Sequence, residues 1–313
     1  MTIQLPFLRL KQQMPLIQQR GIRQIILLTG ALGMVVPVAL AYPAQALQVQ
    51  VAPANPQLGD TLSVVIKLDN PDGSKASVSS SPTVAFAQKT YPTFLIAPNQ
   101  FRAFLPTTPL DKAGTKQIRV RSEGQEQNLS VSVRPHSFPV QHITLPPGKA
   151  GLEESKYEVN RVAAFKQMET AQKFWDGSFL KPNQGPITTI YGVRRYYNGV
   201  FAKDYYHRGV DYAGAEGSPV IAPAAGRVAL VGRVSQGFHL HGNCVGIDHG
   251  QGVISMFLHL SRINVKEGEL VQPGQVIGAV GSTGAATGPH LHWGLYVHGQ
   301  SVDPGQWRNN NFK

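Results

Sequence analysis

A single cysteine, Cys244, stands in a chain of 313 residues. No intramolecular disulfide can form, so the fold must be held by apolar cores and by any bound ion. Left alone, such a cysteine is expected to be a small buried hydrophobe. Charged residues are also sparse, at 15%, and the 29 basic against 18 acidic residues leave a formal net charge of +11. No Lys/Arg-rich helix and no aromatic RNA-binding motif accompany that excess, which argues against a nucleic-acid reader. From residue 179 onward helix-length periodicity is missing, so that half is expected to be almost all β.

Acidic residues are absent before residue 47, where Arg9, Lys11, Arg20 and Arg23 are the only charges. They precede an apolar run, 25–41, and then Ala44-Gln45-Ala46. A basic start, an apolar middle and an A-x-A end predict an export signal over 1–46, cleaved after Ala46. The competing reading is a retained membrane anchor; Gly30, Gly33 and Pro37 weaken it, and the run is short for a span. No cysteine lies near the cleavage site, which argues against lipid attachment there. Without the four leading cations, 25 basic residues face 18 acidic ones, a net +7. An exported basic protein, periplasmic or associated with the cell wall, suits an anionic extracytoplasmic polymer.

Residues 47–134 read as seven short alternating strands, with turns at Asn70-Pro71-Asp72-Gly73 and Lys112-Ala113-Gly114. That texture predicts a small immunoglobulin-like β-sandwich without chemistry of its own, a spacer or docking module. A linker and bracing helix follow over 135–178. The helix is expected over 152–174, with Glu153 and Glu154 in its first turn, Val162, Phe165, Met168 and Ala171 on one stripe, and Asp176-Gly177 as its stop. Residues 179–313 alternate strand and turn. Their hairpins also suit lipoyl or biotinyl carrier domains, but no hairpin tip presents the lysine a carrier needs.

Near the C-terminus, Gly288-Pro289-His290-Leu291-His292 brings a loop abruptly into a strand. Side chains alternate along a strand, so His290 and His292 share one face while Leu291 and Trp293 point to the core. Alone, an H-x-H is a weak signal. The chain adds His207-x-x-x-Asp211 and Phe257-Leu258-His259-Leu260. Neutral imidazoles and a carboxylate are the usual ligands of a catalytic zinc, three protein groups leaving a fourth position open.

Together these three elements, with Gly281-Ser282-Thr283-Gly284 leading into the H-x-H, Gly242-Asn243, and Val302-Asp303-Pro304, resemble the lysostaphin/LytM-type peptidoglycan zinc metalloendopeptidases over about 179–308. The resemblance implies a compact antiparallel β domain with a groove and one zinc at its floor. It implies that His207, Asp211 and His292 are the ligands, and that His259 and His290 handle protons and charge. The implied activity is hydrolysis of peptide bonds in peptidoglycan cross-links or stems, with D-alanyl linkages and glycine bridges both open. Relatives on this fold that only bind wall or activate amidases typically lack the ligand set, so its presence counts against that alternative. Ala285 and Ala286 depart from the basic or polar residues common in the family's groove loop. The family's groove tyrosine has five competitors here, Tyr191, Tyr196, Tyr197, Tyr205 and Tyr206. His239, His241, His249 and His298 are expected at loops or rims. If residues 47–134 form an independent β-sandwich, a fragment starting near Lys149 is expected to keep the helix, fold and bind zinc, because all five site residues follow position 200.

Overall fold

The structure, a computed structural model, describes residues 46–69, 80–144, 153–309 and 312, all within one compact unit. The segment expected to be an export signal, 1–46 apart from Ala46, and the turn expected at Asn70–Gly73 lie outside the described residues. No helix among the described residues is long and apolar enough to cross a membrane. The architecture is mainly β.

The N-terminal part has eight strands: β1 (Ala46–Ala52), β2 (Thr61–Asp69), β3 (Thr83–Phe86), β4 (Lys89–Tyr91), β5 (Phe94–Ala97), β6 (Gln100–Pro106), β7 (Gly114–Ser122) and β8 (Gln125–Val133). They form two antiparallel four-stranded sheets, β1-β2-β6-β5 and β4-β3-β7-β8. On β7 the alternation is clean: Ile118 and Val120 are buried while Arg119 and Arg121 are exposed. That is the mark of a sheet with one wet face. Inward residues Leu62, Val64, Ile66 and Leu68 of β2 meet Val84, Phe86, Ile118 and Val120 of the opposite sheet in one core.

On β2 and β6 the alternation disappears, because their second face is covered too. Thr61, Ser63, Arg102 and Phe104 are buried there against the C-terminal part. The Phe104 ring lies 5.3 Å from Trp307, 5.6 Å from Phe312 and 6.0 Å from Trp175, centroid to centroid. Thr61 is gripped at three atoms: its N–H donates to Gln306 Oε1 (2.7 Å), its carbonyl accepts from Gln306 Nε2 (2.9 Å), and its hydroxyl accepts from Trp307 Nε1 (3.1 Å). The sandwich therefore shares a core with the rest of the chain. Expecting a fragment from 149 to fold rested on treating the sandwich as a separate module, and that packing removes the basis for it.

After strand β9 (Val140–Ile143), helix α1 spans Lys156–Lys166. Its N-cap is Ser155, whose hydroxyl accepts the Glu158 N–H at 3.0 Å. Glu153 and Glu154 thus precede the helix, and it ends short of the expected 174. The reason is competition for backbone groups: Thr170 O accepts the Gln251 N–H and the Phe174 N–H donates to His249 O, bonds a continuing helix would forbid. As a brace α1 behaves as its stripe predicts, since Val162 and Phe165 pack on Leu230, Phe238, Cys244, Ile254, Met256 and Tyr296. Cys244 is a free, buried thiol in that cluster, and burial pushes its pKa up to about 12.

The C-terminal part adds β10 (Ile187–Thr189), β11 (Arg194–Tyr197), β12 (Val200–Phe201), β13 (Val210–Ala213), β14 (Pro219–Ile221), β15 (Gly226–Gly232), β16 (Cys244–Gly250), β17 (Val253–Leu258), β18 (Arg262–Ile263), β19 (Leu270–Val271), β20 (Val276–Ala279), β21 (His290–Val297), β22 (Gln300–Val302) and helix α2 (Pro304–Asn309). The main sheet runs β10-β13-β21-β17-β16-β15-β19, with β22 beside β21, and its pairings are antiparallel. Small sheets β14-β20-β18 and β12-β11-β9 flank it. In the second, the linker strand β9 lies parallel to β11.

Of the histidines expected at loops or rims, His298 does lie in the β21–β22 turn, whereas His249 is buried within a strand. His298 is sandwiched by Tyr91 and Phe94 of the N-terminal part (5.5 and 6.3 Å). His249 is fully buried on β16, its Nδ1–H donating to Ala225 O (2.8 Å) and its Nε2 lying 2.9 Å from Ser255 Oγ.

Phe104→Ala should cost about 3–5 kcal/mol, the usual loss for deleting a fully buried aromatic ring. Guanidinium unfolding should remain a single transition; a loss under about 1 kcal/mol, or a separate early transition for the sandwich, would contradict the shared core. Burial lowers the His249 pKa from 6.5 to about 4, so between those values the unfolded chain binds the extra proton. Stability then rises with pH across that window, and its contribution, up to about 3 kcal/mol, is lost as pH falls from 6.5 toward 4. His249→Gln should flatten that part of the stability-versus-pH curve; an unchanged slope would show that His249 is not held neutral.

Candidate metal centre

Strand register brings the first two predicted ligands together. Asp211 of β13 and His292 of β21 are direct cross-strand partners, so their side chains leave the same face as neighbours. His292 Nδ1 lies 2.8 Å from Asp211 Oδ1. Along β21 the alternation holds: Leu291 and Trp293 are fully buried on the other face, with Trp293 Nε1–H donating to Ser255 Oγ at 3.1 Å. His207 enters from the turn before β13, tied down by its N–H to Val193 O and its carbonyl to the Gly192 N–H. Its Nε2 stands 3.0 Å from Asp211 Oδ1 and 3.0 Å from His292 Nδ1. All three side chains are buried and form a His/Asp/His cluster of metal-binding geometry.

Donor chemistry supports a cation at that point. A carbonyl only accepts, so the 2.8 Å contact from His207 Nδ1 to Ile190 O places the ring proton on Nδ1 and a lone pair on Nε2. Burial keeps His292 neutral, its pKa lowered to about 4. One carboxylate oxygen and two imidazole nitrogens thus converge as electron-pair donors, the set zinc takes in open sites. Arg195 Nη2 lies 3.7 Å from Asp211 Oδ2. Gly209 is obligatory beside them, because a Cβ there would come within 2.4 Å of Trp293 O and 2.8 Å of the His292 ring.

The second predicted pair stands next to this cluster. His259 follows the end of β17, whose last residue Leu258 is the other cross-strand neighbour of His292. Its ring centroid is 4.9 Å from His290 and 6.4 Å from His292. The backbone at His259 is left-handed, φ 63°, a conformation that a non-glycine residue keeps only when its surroundings enforce it. Its N–H donates to His241 O (3.1 Å) and its Nδ1–H to Thr283 O (2.9 Å). Burial, with the adjacent His290 and His292, lowers its pKa to about 3. His290 Nδ1–H donates to Gly288 O at 2.9 Å. The neutral His259 ring therefore carries its lone pair on Nε2, and in His290 Nε2 is the ring nitrogen not engaged by Gly288 O.

All five sequence-predicted site residues gather at the centre of the main sheet. Of the five tyrosines, Tyr191 and Tyr206 turn their hydroxyls inward to Ser301 O (2.7 and 3.3 Å). Tyr196 stacks on His142 at 4.5 Å, whereas Tyr197 lies 6.1 Å from Tyr205 and its hydroxyl accepts from Arg195 Nη1 at 3.3 Å, beside Asp211. Sequence reasoning missed the supporting groups: Ile190 O, Thr283 O and His241 O are backbone atoms and leave no residue-type signal. Gly209 did leave one, as a glycine between two candidate ligands.

Residues 205–304 match the family model for peptidase family M23. A DD-carboxypeptidase/endopeptidase, Mpg, from Neisseria meningitidis is 46% identical over 98 residues, 31% of this chain and 22% of that protein. Peptidoglycan DD-endopeptidase ShyA of Vibrio cholerae is 42% identical over 97 residues, again 31% of this chain and 22% of the relative. The aligned part is thus about a fifth of the length of those curated relatives. A solved Pseudomonas aeruginosa structure, assigned provisionally to peptidase M23, is 27% identical with a TM-score of 0.58 and covers 81% of this chain and 95% of that one. That coverage extends well beyond 205–304, so the fold likeness includes residues upstream of the family match. Over residues 205–304, the chain is a member of peptidase family M23.

Proposed function

We propose that this protein is an exported zinc endopeptidase that hydrolyses peptide bonds in peptidoglycan, with His207, Asp211 and His292 holding one zinc ion and His259 and His290 handling protons. The observation that carries the reading is the convergence of three buried donor atoms within 3.0 Å of one another, with two further imidazoles beside them. Relatives named as DD-endopeptidases favour the D-alanyl linkage to a diamino acid over a glycine bridge. A peptidoglycan substrate in turn favours a periplasmic or wall-associated location, in keeping with the basic composition and the N-terminal export segment.

Zinc in this cluster would supply Lewis acidity toward a scissile carbonyl and acidify water toward neutrality. The chain's own residues do the rest. His259 is kept neutral by burial and fixed in one tautomer by Thr283 O, so Nε2 is a lone pair ready to accept a proton at pH 7. His290, half-buried at the start of β21, is the partner that in its protonated form offers an Nε2 hydrogen bond to developing negative charge or returns a proton to the leaving amine. The left-handed backbone at His259 is a cost met by the surrounding hydrogen bonds in exchange for orientation.

Asp211→Ala should leave a folded protein with well under one zinc per chain by elemental analysis; full occupancy would remove Asp211 from the ligand set. His259→Ala and His290→Ala should keep about one zinc each and lose turnover of purified wall by about 10² or more, the usual scale for a missing general base. Mass spectrometry of the wild-type digest should reveal new amino termini on the diamino acid of the cross-link. Wild-type turnover in either histidine variant would refute its assigned role.

A further inference from the structure

Helix α1 lies upstream of the M23 match, yet it sends one carboxylate toward the site. Glu158 is fully buried and accepts four hydrogen bonds from a single loop. Oε2 accepts the backbone N–H groups of His239 (2.9 Å) and Leu240 (3.2 Å), and Oε1 accepts the backbone N–H of His241 (2.8 Å) and its ring Nδ1–H (2.8 Å). Burial opposes the charge, but the bonds from His241 and Leu240 prevail and lower the pKa to about 2. A buried carboxylate that receives every N–H of a three-residue stretch fixes that backbone more firmly than a helix cap requires.

What the loop does next is to hold His259. His241 O accepts the His259 N–H (3.1 Å), and Asn243 O accepts the Leu260 N–H (2.9 Å). The same loop is closed onto the segment before His290: Leu240 O accepts the Ala285 N–H (2.9 Å) and the Asn243 N–H donates to Thr283 Oγ1 (3.0 Å). Thr283 O in turn receives the His259 ring proton (2.9 Å). Packing there is tight, since a Cβ on Gly242 would sit 2.5 Å from the Thr283 carbonyl. Backbone and ring of His259 are therefore both referred to one loop, and that loop is referred to Glu158.

We propose that Glu158 is a positioning residue for the hydrolysis, holding the 239–241 backbone and through it the left-handed main chain and ring orientation of His259. The inference rests on the proposed proton-handling role of His259. It also makes α1 part of the working enzyme rather than a brace alone.

Glu158→Gln, in the full-length zinc-loaded protein, places an amide NH2 where two N–H donors converge. On a soluble cross-linked peptide, kcat should fall at least about tenfold with KM within about twofold, the pattern of a misplaced catalytic group. Zinc content should stay near one per chain, and amide hydrogen exchange should accelerate at 239–241 and at His259. Ser155→Ala removes the cap of the same helix without touching the loop and should leave kcat and the His259 exchange unchanged. Should Glu158→Gln fail to fold, Glu158→Asp, one methylene shorter, should give the same changes in smaller measure. Unchanged kcat and exchange in the folded variant, or an equal kcat loss in Ser155→Ala, would overturn the proposal. If the wild type cleaves no peptide, the functional reading fails, whereas exchange at His259 still decides whether Glu158 holds that residue.

Discussion

Everything at the centre of this molecule depends on one cross-strand pair. Asp211 on β13 and His292 on β21 face each other in register, and a one-residue slip of either strand would turn its side chain to the opposite face. The slip is prevented from below: Leu291, Trp293 and Tyr212 are fully buried on the far face, and Val210 pairs with Trp293. The apolar half of each strand therefore sets the position of its polar half. His207 completes the cluster because the turn before β13 is pinned at its own backbone and at Ile190 O.

The cluster is supported by parts of the chain that carry no metal-ligand chemistry. The sandwich shares aromatic packing with Trp175, Trp307 and Phe312 through Phe104, and α1 packs on the back of β15, β16 and β17. The likeness to the Pseudomonas aeruginosa structure, over 81% of this chain, likewise reaches beyond residues 205–304. The segment matching peptidase family M23 is thus built into a larger body, which accounts for burial on both faces of β2 and β6.

How much of this was legible in the sequence follows from which signals depend on residue type. The H-x-H alternation, the H-x-x-x-D spacing and His259 are side-chain signals, and each predicted residue arrives at the cluster or beside it. The mainly β character followed from period-2 patterning on strands such as β7. Illegible parts were those decided by tertiary competition. The stripe of α1 continues in sequence past Lys166, but residues 170–174 give their backbone groups to 249–251. His249 looked like a rim residue because polarity says nothing of a partner that makes burial tolerable. Glu158 sits three residues after Ser155, the spacing of an ordinary capping box. Its real partners lie some eighty residues away in the chain.

The central claim is that this register exists to present two imidazole nitrogens and one carboxylate oxygen to a single zinc ion. X-ray absorption at the zinc edge of the purified, stoichiometrically loaded protein tests it most directly. The account predicts only nitrogen and oxygen neighbours at about 2.0–2.2 Å, four in all, with the multiple-scattering signature of two imidazoles. A sulfur neighbour at about 2.3 Å, which would have to be Cys244, or a fit requiring three or four imidazoles, would contradict it.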